Sequence, residues 1–239
     1  MRRTLFGLLC CSVVLISRAA TGPAEILTDK SSSSKVLALY QKTLTAAQKD
    51  PPPLGGLICI GSSHMQLWKS VKEDLAPLTV TNYGIGGSRM TQAAELFIDN
   101  LAIPFKPRAV ILYEGSNDIN AGTKPETVLA NFQKIHRKLH AALPQARLYV
   151  LSLVPSPGKR FEKIGDLRKT NELLAKECAT QPWMKFIDVT EPLIGADGKP
   201  KEELFKPGDI HMLPAGYVVW KSVIAPIIVP AETPFEHVK

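Results

Sequence analysis

Short apolar runs alternate along this chain with longer segments in which apolar residues recur every three or four positions. The runs have the length of buried strands, and the recurring pattern is typical of helices that turn one face to a core. Five strands are predicted, at 57–60, 78–83, 108–113, 148–154 and 185–189. Helices are predicted at 35–50, 63–75, 91–102, 125–143, 166–179 and 214–228.

This alternation of strands and helices predicts the fold class. Strands joined through helices and short turns form βαβ units, which build one parallel sheet covered on both faces. The chain has 239 residues, of which 45% are hydrophobic, and this is enough for one core. We therefore expect an α/β protein: a single three-layer α/β/α domain with a five-stranded parallel sheet at 35–230, followed by a C-terminal tail at 231–239.

The first 34 residues differ in composition from the predicted domain. Arg2 and Arg3 precede an apolar stretch at 4–16, and a small-residue pattern ends at Ala19. These features are typical of a secretory signal peptide, and the stretch is shorter than the ~20 residues of a membrane helix. We expect a cleaved signal at 1–19, a flexible spacer at 20–34, and a secreted or periplasmic protein without a stable membrane anchor.

Charge and cysteine content narrow the function classes. Removal of residues 1–19 takes away three arginines and no acidic residue, so the formal charge falls from +7 to +4. The remaining basic residues are scattered, which argues against nucleic-acid binding. Cys59 and Cys178 lie in a predicted core strand and a predicted helix, so buried free thiols are expected rather than a disulfide. A monomer is compatible with this sequence.

Four residues with useful chemistry follow the predicted strands or precede the last helix: Ser63, Gly87, Asn117 and His211. Acyl transfer needs a nucleophile, a base, and donors for the developing oxyanion. The four offer a hydroxyl, a backbone N–H, an amide and an imidazole. Ser63 taken alone is better explained as a helix N-cap, and the other three blocks reverse that interpretation. Because sites in parallel sheets lie at the carboxyl ends of the strands, we expect the four to meet at one edge.

The four residues stand in short blocks: GSS at 61–63, NYGIGG at 82–87, GSND at 115–118 and DIHMLPAGY at 209–217. In order and spacing these blocks resemble those of the SGNH (GDSL-like) hydrolases, with GSS in place of GDS. The resemblance runs from the first strand to the last helix. It implies the flavodoxin-like SGNH hydrolase fold and ester hydrolysis without a cofactor. It also implies that Ser63 is the nucleophile and His211 the base, with Ser63, Gly87 and Asn117 donating to the oxyanion.

The chain departs from the family pattern at the acidic member of the triad. The family places an Asp three residues before the His, where this chain has Gly208. Asp209 is two residues before His211, and residues two apart in an extended segment point to the same side. We therefore expect Asp209 to orient His211. The alternatives are a backbone carbonyl in a Ser–His dyad, or a protein without a productive base.

The expected function is a secreted carboxylic ester hydrolase that removes short acyl groups, chiefly acetyl, from a carbohydrate or a small ester. The predicted secretion, the lack of a long apolar lid segment and the family resemblance favour this substrate class. One alternative is a lipid-directed esterase or lysophospholipase. The other, suggested by Gly208, is a non-catalytic binding protein on the same fold.

Other site patterns are absent or weak. There is no G-x-S-x-G around Ser63 and no Walker motif, and the glycine-rich loop has Arg89 where a dinucleotide loop has its third Gly. His136 and His140 are expected to be solvated helix residues rather than metal ligands. His64 is expected to point away from the site, and the three tryptophans to pack in the core. No metal site is predicted.

Overall fold

A five-stranded parallel sheet forms the middle layer of the protein in the computed structural model, which describes residues 33–236. The strands are β1 (Leu57–Gly61), β2 (Val80–Gly84), β3 (Ala109–Tyr113), β4 (Arg147–Leu151) and β5 (Met184–Ile187). Their order is β2-β1-β3-β4-β5, which is the flavodoxin-like order. The predicted α/β/α architecture with five parallel strands is confirmed.

The register of the central strands brings their carboxyl ends level. Gly61, the last residue of β1, pairs with Gly84 of β2 on one side and with Tyr113 of β3 on the other. The chain leaves β1 for β2 and then returns to β3 on the opposite side, so a crevice opens between the loops that follow β1 and β3. The residues that follow these three strands therefore lie together.

Helices cover both faces of the sheet. They are α1 (Ser33–Lys49), α2 (Ser63–Leu67), α3 (Val71–Asp74), α4 (Met90–Gln92) with its π-helical continuation Ala93–Ala102, α5 (Ser116–Asn120), α6 (Pro125–Ala142), α7 (Ile164–Cys178) and α8 (Pro214–Glu232). One core layer lies beneath α1, the π-helix, α6 and α7 and includes Phe97 and Phe132. The other lies beneath α2, α3 and α8 and includes Trp68 and Trp220. Cys59 and Cys178 are free and buried, as expected.

The helix predicted at 63–75 is broken into two short pieces. Asn82 on β2 donates from Nδ2 to the carbonyl oxygens of Met65 and Trp68 at 2.8 and 3.4 Å, which satisfies carbonyls at the end of α2. Gly84 has no Cβ, and one added there would overlap the backbone nitrogen of Gln66. The end of β2 and α2 thus pack backbone to backbone, and this contact stops the helix despite its apolar periodicity.

Both ends of the domain differ from the predicted boundaries. Helix α1 begins at Ser33, so the last two residues of the predicted spacer are helical. The predicted signal peptide and the rest of the spacer lie outside the described residues. Helix α8 continues through Pro230 to Glu232, beyond the predicted end at residue 228. The part of the predicted tail at 231–236 therefore belongs to the domain.

A buried ion cluster fastens this C-terminal segment to the amino ends of the strands. The Glu232 carboxylate is fully buried and accepts hydrogen bonds from Arg147 Nη2 and Tyr149 Oη, each at 2.7 Å. It also accepts from Arg108 Nε at 3.2 Å, and Glu236 binds the same guanidinium group. Buried charges must be paired, so these contacts tie Glu232 and Glu236 to the starts of β3 and β4.

Among the described helices, the segment Pro214–Phe235 is long and apolar enough to span a membrane by composition. In this fold one face of α8 packs on the sheet through Tyr217, Trp220, Ile224 and Ile228. Its apolar character is thus accounted for in part by core packing.

Candidate active site

The structure brings the four predicted block residues into one cleft at the carboxyl edge of the sheet. Ser63, Gly87, Asn117 and His211 all line a cavity of about 660 Å³. Ser63 follows β1, Gly87 follows β2 and Asn117 follows β3, while His211 comes from the loop before α8. The predicted meeting of these residues is therefore present in the fold.

Ser63 presents its hydroxyl at the start of α2. Its neighbour Ser62 has extended backbone angles and is fully buried, whereas Ser63 is half-buried and faces the cavity. Among the described residues no hydrogen bond joins the Ser63 hydroxyl to His211. Catalytic hydrogen bonds are often long without substrate and tighten when it binds. Of the two adjacent serines, only Ser63 can meet a ligand.

The turn after β2 offers backbone N–H groups to the cleft. Gly87 has φ of +86°, a conformation that favours glycine. A Cβ at Gly87 would lie 3.4 Å from Val36 Cγ2, so α1 packs directly against this turn. A Cβ at Gly86 would lie 3.8 Å from Ser63 Cβ. The turn thus passes close to the serine, where its N–H groups can reach an oxyanion.

Asn117 is anchored from both ends of its amide. Nδ2 donates to the Ser88 carbonyl oxygen at 2.9 Å, and Oδ1 accepts from Arg160 Nη1 at 3.4 Å. An amide nitrogen carries two hydrogens, so one N–H of Asn117 remains for a ligand. The side chain is therefore held in a fixed orientation with a donor to spare.

Buried acids lie behind this oxyanion region, and the sequence analysis did not single them out. Ser88 Oγ donates to Glu114, which is buried, and burial raises the pKa of Glu114 well above its usual value. Asp118 accepts from the Met90 N–H at 2.9 Å, and burial raises its pKa to about 6. Glu114 and Asp118 thus hold Ser88 and the start of α4 in place beside Asn117.

His211 contacts Asp209, the residue that the sequence predicted to orient it. Its Nδ1 lies 2.9 Å from Asp209 Oδ1, and Gly208 occupies a left-handed turn at φ +68°. Burial works to raise the pKa of Asp209, but the Ile210 N–H and the His211 charge outweigh it, and the net pKa is lowered. The Asp209 side chain is 42% exposed and that of His211 25% exposed. The carboxylate that contacts His211 Nδ1 therefore comes from the exposed Asp209. In the family pattern described above, the Asp stands one residue earlier, where this chain has Gly208.

His64, the residue after the serine, is buried behind the site. Its ring centroid is 5.7 Å from that of His211, and its Nδ1 is 3.4 Å from Tyr113 Oη. Burial lowers the pKa of His64 to about 3, and the His211 charge adds to the effect. The His64 side chain is not among those that line the cavity, as expected, and its ring packs behind His211 as a neutral group.

The expectation that His136 and His140 are solvated helix residues is wrong. His136 is buried, with Nε2 2.9 Å from Glu177 Oε1, and His140 stacks on Trp183 at a centroid distance of 4.5 Å. Helix α7 and the segment before β5 cover this face of α6. Within residues 33–236, no group of three or more His, Cys, Asp or Glu side chains could hold a metal ion.

Three walls of the cleft come from residues that the sequence analysis missed. The first turns of α1 contribute Ser34, Lys35, Val36 and Leu39, and α2 contributes Gln66 and Leu67. Arg160, from the 3-10 turn Gly158–Lys163, and Lys206 complete the lining. The apolar patterning of α1 signalled a helix, but no local signal shows that its start would lie over the Ser63 turn.

Comparisons with known proteins agree with this geometry. A family model, the GDSL-like Lipase/Acylhydrolase family, matches residues 45–219. The alpha1 subunit of platelet-activating factor acetylhydrolase IB from Bos taurus is 29% identical over 177 residues, covering 71% of this chain and 72% of the relative.

Solved structures share the fold at low identity. A GDSL-like lipase from Bacteroides thetaiotaomicron superposes with a TM-score of 0.67 at 18% identity, covering 80% of this chain and 98% of that chain. A family 3 carbohydrate esterase from Clostridium thermocellum gives a TM-score of 0.57 at 14% identity, covering 76% and 99%. The family match extends over well more than half of the 239 residues. The chain therefore belongs to the GDSL-like lipase/acylhydrolase family and is an ester-hydrolysing enzyme.

Proposed function

We propose that this protein removes a short acyl group, chiefly acetyl, from a carbohydrate or small ester, with Ser63 as nucleophile and His211 as base. The observation that carries the proposal is the single cleft in which Ser63, Gly87, Asn117 and His211 meet. The 2.9 Å contact between His211 and Asp209 supports it further. The bovine relative is named an acetylhydrolase, and the Clostridium thermocellum structure is a carbohydrate esterase.

The reaction begins with attack of Ser63 Oγ on the acyl carbonyl carbon while His211 Nε2 takes the hydroxyl proton. Asp209 accepts from Nδ1–H of His211, which fixes the tautomer and stabilises the imidazolium. The tetrahedral oxyanion accepts hydrogen bonds from the N–H groups of Ser63 and Gly87 and from Nδ2 of Asn117. Each such donor is worth roughly 2.7–4 kcal/mol in the transition state.

Collapse of the intermediate expels the alcohol, which receives the proton from His211. Water then attacks the acyl-enzyme by the same route and releases the carboxylic acid and free Ser63. His64 is not a base in this scheme, because its pKa of about 3 reflects a ring that burial keeps out of contact with water. No metal or cofactor enters these steps.

A lipid-directed esterase is the second candidate, and the name of the bovine relative favours it. The apolar lining of the cleft is limited to Val36, Leu39, Leu67 and Ile210. These side chains suit a short acyl group better than a long one. The proposed export through residues 1–19 also favours an extracellular or periplasmic ester, and an exported protein that begins at about Ala20 would support that route.

The test is hydrolysis of p-nitrophenyl acetate, butyrate and octanoate by the purified protein, followed by acetylated oligosaccharides and a 2-acetyl phospholipid. We expect the acetate to be the best of the three simple esters and the oligosaccharide to exceed the phospholipid. Ser63→Ala should abolish turnover, whereas Ser222→Ala, which changes an exposed serine on α8, should not. Faster hydrolysis of the octanoate or the phospholipid would mean that the enzyme is a lipid-directed esterase.

A further inference from the structure

The cleft carries positive charge that the proposed reaction does not use. Among its lining side chains Lys35, Arg160 and Lys206 are cationic, and none is a carboxylate. Within residues 33–236, no carboxylate lies within ion-pair distance of these three. A cavity lined by one sign of charge concentrates ligands of the opposite sign.

Arg160 is the most informative of these cations. It is half-buried, and burial lowers its pKa, although the charges of Tyr113 and Asp209 act in the other direction. Within residues 33–236 its guanidinium group makes one hydrogen bond, to Asn117 Oδ1 at 3.4 Å, which uses only one of five N–H donors. A partly desolvated guanidinium with free donors is suited to an anion that binds from outside.

The position of Arg160 and Lys206 indicates which part of the substrate carries the anion. Both residues also line an adjoining pocket of about 350 Å³ that includes Gly208, Asp209 and Ile210. The backbone N–H of Lys206 donates to the His211 carbonyl oxygen at 2.9 Å, so Lys206 lies on the side of the cleft that His211 occupies. Since His211 gives its proton to the leaving alcohol, the alcohol portion leaves on that side.

We propose that the substrate bears an anionic group, carboxylate or phosphate, on its alcohol portion, and that Arg160 and Lys206 bind this group. The inference rests on the proposed function of the same cleft. Lys35, at the start of α1, also lines the cleft and adds to the attraction of the anion. Glu202 also lines the adjoining pocket, so the anion is placed where the two cavities join, next to Arg160, Lys206 and Ile210.

A different role for the same charges is stabilisation of the oxyanion, because Arg160 contacts Asn117. The two roles predict different kinetics. Oxyanion stabilisation acts on every ester alike, whereas anion binding acts only on substrates that carry the charge.

The test uses three aryl acetates of similar size: 4-acetoxybenzoate, its neutral methyl ester, and 4-acetoxyphenyl phosphate. We expect kcat/KM to be at least about tenfold higher for the better anionic ester than for the methyl ester, chiefly through KM, and to fall with added salt. Comparison of kcat/KM for 4-acetoxybenzoate and 4-acetoxyphenyl phosphate identifies which anion the enzyme prefers. Arg160→Gln and Lys206→Gln should each reduce the anionic-to-neutral ratio by about threefold or more.

The matched control is Lys163→Gln, which removes an exposed charge from the same 3-10 turn and should leave the ratio unchanged. Equal rates for charged and neutral esters, or equal losses on both in Arg160→Gln, would overturn the inference. Calorimetry with Ser63→Ala protein measures the binding of each ester without turnover. If Ser63→Ala binds an anionic ester more tightly than the neutral ester, the inference about the anion holds. If the natural protein hydrolyses none of the esters, only the proposed function fails.

Discussion

His211 and His64 lie within 6 Å of each other by ring centroid and have opposite environments. His211 is partly exposed and contacts Asp209, so it can exchange protons with a ligand. His64 is buried, and its lowered pKa keeps it neutral in the range where a base must work. His211 can therefore carry the proton, while His64 packs behind it as a neutral side chain.

Asp209→Asn should lower kcat by roughly 10²–10³ with little change in KM, because the amide cannot stabilise the imidazolium. The expected loss is smaller than the ~10⁴ of a buried triad Asp, since Asp209 is 42% exposed and water screens its charge. Steady-state kinetics on p-nitrophenyl acetate measures it. Asp197→Asn is the matched control, because Asp197 also bonds its own loop backbone but lies outside the cleft lining.

A loss of less than about tenfold in Asp209→Asn would mean that the carboxylate is not needed, and the Ser–His dyad would then describe the enzyme. The swap Gly208→Asp with Asp209→Gly restores the family order. A large gain from this swap would show that the exposed position of Asp209 limits the natural rate.

Glu114→Gln should change how stability depends on pH. In the folded protein the pKa of Glu114 lies well above its unfolded value, so its stabilising contribution is present below about pH 4.5 and is lost as pH rises. Above about pH 4.5, the stability of the natural protein relative to Glu114→Gln should fall as pH rises, with a slope of at most about 1.4 kcal/mol per pH unit. Urea unfolding across this range measures it. Parallel pH curves for the two proteins would mean that Glu114 is ionised in the fold.

At the scale of single elements, the sequence predicted what depends on local pattern. Apolar runs located all five strands, and the four block residues at their ends fell in the cleft as expected. The break after α2 was missed, because Asn82 and Gly84 act on it across the sheet. The end of α8 was also misplaced, since the partners of Glu232 are far away in sequence.

Glu232→Gln should destabilise the protein by about 3 kcal/mol, because it leaves Arg108 and Arg147 facing a neutral, buried amide. Urea unfolding of the natural and variant proteins at pH 7 measures the difference. Glu203→Gln changes an exposed glutamate in a 3-10 turn and should stay within about 0.5 kcal/mol. Equal stability of the two variants would mean that the α8 end contributes little to the fold.

At the scale of the whole molecule, the sheet order explains why four separate blocks can act together. Ser63 and Asn117 follow adjacent strands whose outgoing loops diverge, and the crevice between them is the usual ligand site of such sheets. The blocks made this meeting predictable. The walls from α1, Arg160 and Lys206 were not predictable, because only tertiary packing brings them to the crevice.

Labelling with a fluorophosphonate shows whether Ser63 is the nucleophile. A fluorophosphonate forms a stable adduct with a serine that a nearby base activates. We expect one label per chain, located on Ser63 by peptide mass spectrometry, retained in Ser62→Ala and lost in Ser63→Ala. A label on Ser62, Ser88 or Ser116, or active protein without any label, would contradict it.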